Sequence, residues 1–179
     1  MTKHYREIKI TPQEEMSVGV IASAIMQRVH SFIASGHDVL ISLPDLEEKR
    51  PRSVGRVIRL HGDQETLALF TPPTGLEDAI KLSDVRIVPD DHELRVFKRV
   101  TVKGASSYRR MAHRAQAKGL PTEHFENGVG RRIENAYFNI ASKTTAQKFK
   151  LFVENVAPSA GDVCNAGRGY GLGAAVPVF

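Results

Sequence analysis

Tryptophan is absent from this 179-residue chain, and cysteine occurs only once, as Cys164. One thiol excludes an internal disulfide and any zinc site built from several cysteines, in keeping with a reducing compartment. Nothing around Cys164 has the setting of a catalytic thiol. Long apolar runs are also lacking: no stretch approaches the roughly 18 apolar residues of a membrane span, and "MTKHYREIKI" has no apolar core of a secretory signal. The expectation is a cytoplasmic protein that does not engage a membrane. The seven histidines, at positions 4, 30, 37, 61, 92, 113 and 124, show no HExxH spacing, and no DxD-type carboxylate cluster is present. Neither a metal centre nor a bound cofactor is expected. The glycine-rich tail "GRGYGLG" lacks the GK[ST] ending of a P-loop and precedes no helix. It reads either as a turn or as backbone that approaches a phosphate.

What is present is an ordinary globular composition, 41% hydrophobic and 25% charged. The net charge of +5 is informative once it is located. From Leu94 to Thr122 there is no Asp or Glu, while Arg95, Lys98, Arg99, Lys103, Arg109, Arg110, Arg114 and Lys118 supply eight positive charges. Elsewhere 17 basic residues stand against 20 acidic ones. The positive charge therefore belongs to one segment, a footprint suited to a polyanion.

The first ninety residues predict an order of elements. "YREIKI" is a strand with Ile8 and Ile10 alternating, Thr11-Pro12 is a break, and "IASAIMQRVHSFI" is an amphipathic helix closed by Gly36. "DVLISL" and "RVIRLHG" are strands; "DQETLALF" starts a second helix, which Pro72-Pro73 interrupts and "GLEDAIKL" resumes; "VRIVP" is a fourth strand. The fold class is α+β: the order βαββαβ predicts a ferredoxin-like domain over residues 1–91, followed by a C-terminal α+β domain over 92–179. In the second domain "LRVFKRVTVK" is a basic strand, "SSYRRMAHRAQAKG" a helix ending at Gly119, and "AYFNIAS" and "KFKLFVENV" two further strands.

Two helices carry candidate chemistry. In the first, Ile21, Ala24, Ile25, Val29 and Phe32 form the apolar stripe, and His30 projects away from it, beside Ser23 and Gln27. Its reading stays open between a solvated histidine and a proton-transfer group. In the second, Arg109, Arg110, His113 and Arg114 share one face, with Tyr108, Met111, Ala112 and Ala115 on the other. Planar guanidinium groups donate in pairs to phosphates and guanine edges. A solvated basic face is the plainer alternative, weakened because no acidic residue at i±4 pairs with it.

Several segments together resemble the CRISPR repeat-processing endoribonucleases of the type I-F system. They are the N-terminal strand and helix with His30, "ISLPDLEEKR", the arginine-rich helix, "SKTTAQKFKLF" and the closing "YGLGAAVPVF", in the family's order over nearly the whole length. The resemblance implies a ferredoxin-like N-terminal domain and an arginine-rich helix that lies in the major groove of an RNA hairpin. It implies that His30 is the catalytic histidine, that Ser142 holds the nucleotide bearing the attacking 2′-OH, and that Tyr170 helps to orient the active site. Phe149 matches the aromatic that stacks on the pair closing the stem, and Arg99 an arginine that reads a guanine near the stem base. Thr101 stands where relatives carry glutamine, and its shorter side chain cannot make a bidentate contact to adenine. Thr144 replaces a second serine and keeps the hydroxyl, His113 takes an arginine's place, and Lys103 completes the basic segment facing the RNA.

The expected function is metal-independent cleavage of precursor CRISPR RNA at the 3′ base of the repeat hairpin by 2′-OH attack, leaving a 2′,3′-cyclic phosphate and a 5′-OH. The expected partners are the repeat hairpin, the guide RNA retained after cleavage, and the other subunits of the type I-F effector complex. Two rivals remain: a non-cleaving structural subunit that binds the hairpin, and a DNA-binding regulator.

Overall fold

The computed structural model describes residues 3–46, 53–101, 105–126, 135–142, 147–159 and 169–179. In chain order the elements are β1 (His4–Ile10), α1 (Val18–Ala34), β2 (Leu40–Ser42), β3 (Val57–Gly62), α2 (Gln64–Leu69), a 3₁₀ turn (Glu77–Ala79), β4 (Ile80–Leu82), β5 (Arg86–Ile87), β6 (Glu93–Val100), α3 (Ala105–Gln116), α4 (Glu123–Glu126), β7 (Ala136–Ala141), β8 (Lys148–Val156) and β9 (Ala175–Val178). The class is α+β with antiparallel sheets. Two compact units form, Met1–Val100 together with Asn135–Phe179, and Thr101–Glu134.

In the first unit one sheet has the order β2-β3-β1-β4, with β5 also pairing β1, and the other the order β7-β8-β6-β9. Residue 91, where the sequence predicts a domain boundary, separates the two sheets along the chain. Both sheets nevertheless belong to one compact unit, and residues of both, such as Ile8, Ile58, Phe138 and Leu151, contribute to one apolar core.

The reason is α1. Of its expected stripe residues Ile21, Ile25, Val29 and Phe32 are buried and Ala24 is only half-buried, while Ala22, Ser23 and Met26 are buried as well. The helix therefore buries a second side, which packs on β7. Ser23, polar and expected beside His30 on the outer side, is only 5% exposed: its hydroxyl donates to Gly19 O at 2.6 Å and accepts from Asn139 N at 2.9 Å. A buried hydroxyl with both roles filled carries no desolvation debt. The helix stops where expected. Gly36 has φ +96°, and the bonds Gly36 N–H to Ile33 O (3.0 Å) and His37 N–H to Phe32 O (3.4 Å) form a Schellman motif.

The second helix is shorter than its sequence pattern predicts. After α2 the chain does not return to helix at "GLEDAIKL": it forms the 3₁₀ turn and then β4, whose Ile80 and Leu82 pair with Ile10 and Ile8. The strand expected at "VRIVP" is reduced to Arg86 and Ile87 against Tyr5 and His4. The β1 edge offers backbone partners along its whole length, and pairing them outweighs a weak helical pattern after Pro72-Pro73. The tail strand β9, unmarked by any alternation in the sequence, pairs with β6.

On β1 and β3 the cross-strand pairs Glu7–Arg59 and Tyr5–His61 lie on one face. Glu7 is bonded by Arg59 at 2.8 Å and by Lys9 at 3.1 Å. Burial would raise its pKa, but these two cations hold it below the usual carboxylate value. His61 is fully buried; its Nε2 meets Ser42 Oγ at 2.8 Å, and among the described residues its Nδ1 has no hydrogen-bond partner. Burial first, then the charges of Arg59 and His92, push its pKa down to about 3. The folded state thus refuses a proton that the unfolded chain accepts below pH about 6.5, and stability falls as pH falls. Between about pH 6 and 4.5 we expect His61 to contribute a loss approaching about 1.4 kcal/mol per pH unit. Urea denaturation at several pH values checks this, and an unchanged slope in His61→Gln would refute it.

The second unit holds α3 and α4, which pack together. The apolar side of α3 is shielded, Ala115 most completely, while Arg109, Arg110, His113 and Arg114 are exposed as their spacing predicts. Gly119, with φ +66°, ends the segment: Leu120 N–H reaches Ala115 O at 2.9 Å and Gly119 N–H reaches Gln116 O at 3.0 Å.

Candidate active site

His30 sits in the last turns of α1, half-buried. Its Nδ1 lies 2.6 Å from Gly169 O, a partner 139 residues away. A carbonyl only accepts, so Nδ1 carries a proton and donates it, and in the neutral ring Nε2 is left with the lone pair. The ring also stacks on Tyr170, with centroids 4.3 Å apart and planes 20° from parallel. The imidazole is thus held by one hydrogen bond and one ring face, both from the glycine-rich tail.

That tail is tied down. Gly171 O accepts from Ile41 N at 2.9 Å, and Gly173 N donates to Phe97 O at 2.8 Å. Gly171 has φ +70°, and a Cβ there would lie 2.8 Å from Val39 O, so only glycine lets the tail run this close to β2. Of the two readings of "GRGYGLG", the described part, from Gly169 onward, is an anchored turn.

Tyr170 connects His30 to the second sheet. Burial pushes its phenol above the ordinary value, and the positive charge of Arg99 opposes that shift. The phenol therefore stays protonated at neutral pH and cannot serve as a base. The Arg99 guanidinium in turn stands 5.9 Å from the centroid of the Phe149 ring, within cation–π range. Arg99 on β6 and Phe149 on β8 thus form one pair and His30 and Tyr170 another, with the charge of Arg99 felt at the Tyr170 phenol.

Ser142 follows directly on β7, half-buried, with its N–H bonded to Gln147 O at 2.8 Å. The residue before it, Ala141, accepts a hydrogen bond at 2.8 Å from Gln27 Nε2. Gln27 precedes His30 by three residues, about 4.5 Å along the helix axis. One turn of α1 therefore carries both the imidazole and the amide that pins the strand end leading to Ser142. Neither Gln27 nor the Gly169 carbonyl is conspicuous in the sequence as a site residue; the polar position of Gln27 beside His30 was the one available signal.

The remaining candidates are distributed differently. Thr101 is exposed, and with Arg109, Arg110, His113 and Arg114 it belongs to the second unit. Lys103 and Thr144 lie outside the described residues, as does Cys164. Among the described residues no helix is long and apolar enough to cross a membrane, and no three His, Cys, Asp or Glu side chains converge as a metal site.

A histidine with a fixed tautomer, a serine at a pinned strand end, and an arginine beside an aromatic ring are residue types that suit proton transfer and contact with phosphates and bases. Residues 5–179 match the sequence profile of the family described as CRISPR-associated protein (Cas_Csy4), which puts the molecule among the CRISPR-associated proteins. The chain belongs to the Cas_Csy4 family. Two relatives carry the name CRISPR-associated endonuclease Cas6/Csy4. The one from Escherichia coli (strain UTI89 / UPEC) is 32% identical over 164 residues, 85% of either chain. The one from Pseudomonas aeruginosa (strain UCBPP-PA14) is 28% identical over 193 residues, covering 98% of this chain and 99% of the relative.

Proposed function

We propose that this chain is an endoribonuclease that binds the stem-loop of a CRISPR repeat, cuts the precursor RNA at the 3′ base of the stem without a metal ion, and stays on the mature guide RNA as a subunit of a type I-F effector complex. The observation that carries the proposal is the held imidazole: Nδ1–H donates to Gly169 O and Tyr170 covers one ring face, leaving Nε2 as the nitrogen available to a substrate. Family membership and the endonuclease names of its relatives support the same reading.

In this mechanism His30 Nε2 takes the proton of the 2′-OH, and the 2′ oxygen attacks the adjacent phosphorus. The bond from phosphorus to the 5′ oxygen breaks, and that oxygen leaves with a proton returned from the imidazolium or from water. The products are a 2′,3′-cyclic phosphate and a 5′-OH. The Gly169 carbonyl and the Tyr170 ring both stabilise the imidazolium that forms midway. Ser142 holds the ribose of the attacking nucleotide, Phe149 stacks on the closing pair of the stem, and Arg99 takes an acceptor edge of a guanine near the stem base.

Arg109, Arg110, His113 and Arg114 bind the stem from the major-groove side. A deep A-form groove excludes side chains along most of its length, so this helix engages the stem near its end, where the groove opens. Thr101 and Lys103 extend that contact, and Thr144 assists Ser142. The division of labour falls near residue 91, with a ferredoxin-like half carrying His30 and a hairpin-binding half following it.

The test is incubation with the cognate repeat RNA in excess EDTA, followed by analysis of the product ends. Cleavage that persists in EDTA and leaves a cyclic phosphate is the expected result. Loss of cleavage in EDTA, or a 5′-phosphate product, overturns the mechanism. Tight hairpin binding with no product over hours would instead favour a structural subunit.

A further inference from the structure

The second sheet has an inner face on the core and an outer face that the proposed mechanism does not use. Phe138, Ile140, Leu151 and Val153 point inward and are buried. The cross-strand pairs Tyr137–Phe152, Asn139–Lys150 and Ala141–Lys148 alternate with them, so these residues share the outer face, as do Lys98 and Glu154.

Three features distinguish this face from an ordinary solvated one. Tyr137 is 38% exposed and forms a ring pair with Phe152, centroids 5.6 Å apart, an aromatic surface on the open side of a sheet. The Lys150 ammonium lies 4.1 Å from the centroid of the Tyr137 ring. The face is basic: Lys98, Lys148 and Lys150 are exposed against one carboxylate, Glu154, which Lys98 engages at 3.3 Å. Among the described residues, Lys148 and Lys150 have no carboxylate partner.

We infer that the outer face of this sheet is a binding platform for single-stranded RNA, distinct from the hairpin contact. Aromatic rings on a four-stranded sheet stack on bases, and flanking lysines follow the phosphates of a strand whose bases are unpaired. The contact between Lys150 and Tyr137 is replaceable, because the ammonium is flexible and can move to a phosphate while a base takes its place on the ring. The platform also adjoins the proposed cleavage site. Lys148 pairs with Ala141, the neighbour of Ser142, and Phe149 lies on the opposite face between Lys148 and Lys150. Unpaired RNA leaving the stem can round the end of the β7–β8 pair onto this face. The inference rests on the proposed function only in that the ligand is RNA.

The experiment measures fluorescence anisotropy of a labelled 12-nucleotide 2′-O-methyl oligouridine, which has no stem and no nucleophilic 2′-OH, with the full-length chain. Tyr137→Ala is expected to weaken binding at least fivefold, within the range that one stacked base carries, and Tyr137→Phe to restore it. Lys150→Gln should lower the slope of log affinity against log salt by about 0.7, one phosphate contact on a single strand, and Lys150→Arg should leave it unchanged. Affinity for an isolated repeat hairpin should be the same in all four variants. If Tyr137→Ala and Lys150→Gln bind the oligouridine as the parent does, the platform is refuted and the face is left to a protein partner or to solvent. Oligouridine binding that depends on Tyr137 in a protein that neither binds nor cuts the hairpin would retain the platform while removing the cleavage reading.

Discussion

His30→Ala is expected to slow cleavage of the repeat hairpin by about 10²- to 10⁴-fold, the usual worth of one positioned acid–base group, or about 3–5 kcal/mol of barrier. Hairpin affinity is expected not to change, because in the proposed mechanism the substitution removes the group that moves the proton and none of the cations that would face phosphate. The deletion leaves the Gly169 carbonyl without its donor, but the site is half-buried and water can replace the imidazole N–H. A 2′-deoxy nucleotide at the scissile position is expected to abolish cleavage by the parent protein altogether, since the proposed nucleophile is then gone. Single-turnover rates and equilibrium binding, measured on the same RNA, separate the two quantities. A rate loss below tenfold in His30→Ala, or cleavage of the deoxy substrate, would sink the assignment of His30 and the 2′-OH as the reacting pair.

Gly171→Ala has the second largest effect, for a steric reason. At φ +70° a side chain is strained, and a Cβ placed 2.8 Å from Val39 O and 3.3 Å from Ile41 Cγ2 meets backbone and a branched side chain at once. The tail must lift, and the hydrogen bond from Ile41 N to Gly171 O is lost. Left-handed backbone with a Cβ and one broken hydrogen bond together cost roughly 2–3 kcal/mol. The lifted tail carries Gly169 and Tyr170 with it, so His30 loses both the acceptor of Nδ1 and its stacking partner. Cleavage should fall at least tenfold beyond what the stability loss explains. Gly75→Ala is the control, since Gly75 has φ +81° and no atom lies within 4 Å of the place its new methyl group would take; it should lose about 1 kcal/mol of stability and no activity. Equal behaviour of the two variants would mean that the tail's course over β2 does not hold the imidazole.

Much of the site is visible one residue at a time. The departure of His30 from the apolar stripe, the exposed arginine face of α3 and the two glycine-terminated helices follow from a 3.6-residue period and from turn chemistry, both of which are local. Periodicity misjudged Ser23 because it assumes one buried side per helix, whereas α1 has a sheet on each of two sides. It also extended a helix into "GLEDAIKL", where an open sheet edge competed for the same backbone. The strand β9 escaped notice because a proline and a short apolar run have no period to detect.

The kinds of group available, a histidine off the core, a basic segment free of acids and a glycine-rich end, are properties of residue type and short-range spacing, and the chain alone determines them. What those groups do to one another is long-range. The tautomer of His30 depends on a carbonyl 139 positions away, the placement of Ser142 on an amide in α1, and the charge near Tyr170 on Arg99 in β6. Such contacts are decided when two sheets close on one helix, because packing selects which distant backbone atoms come within hydrogen-bond reach and no local pattern encodes that choice.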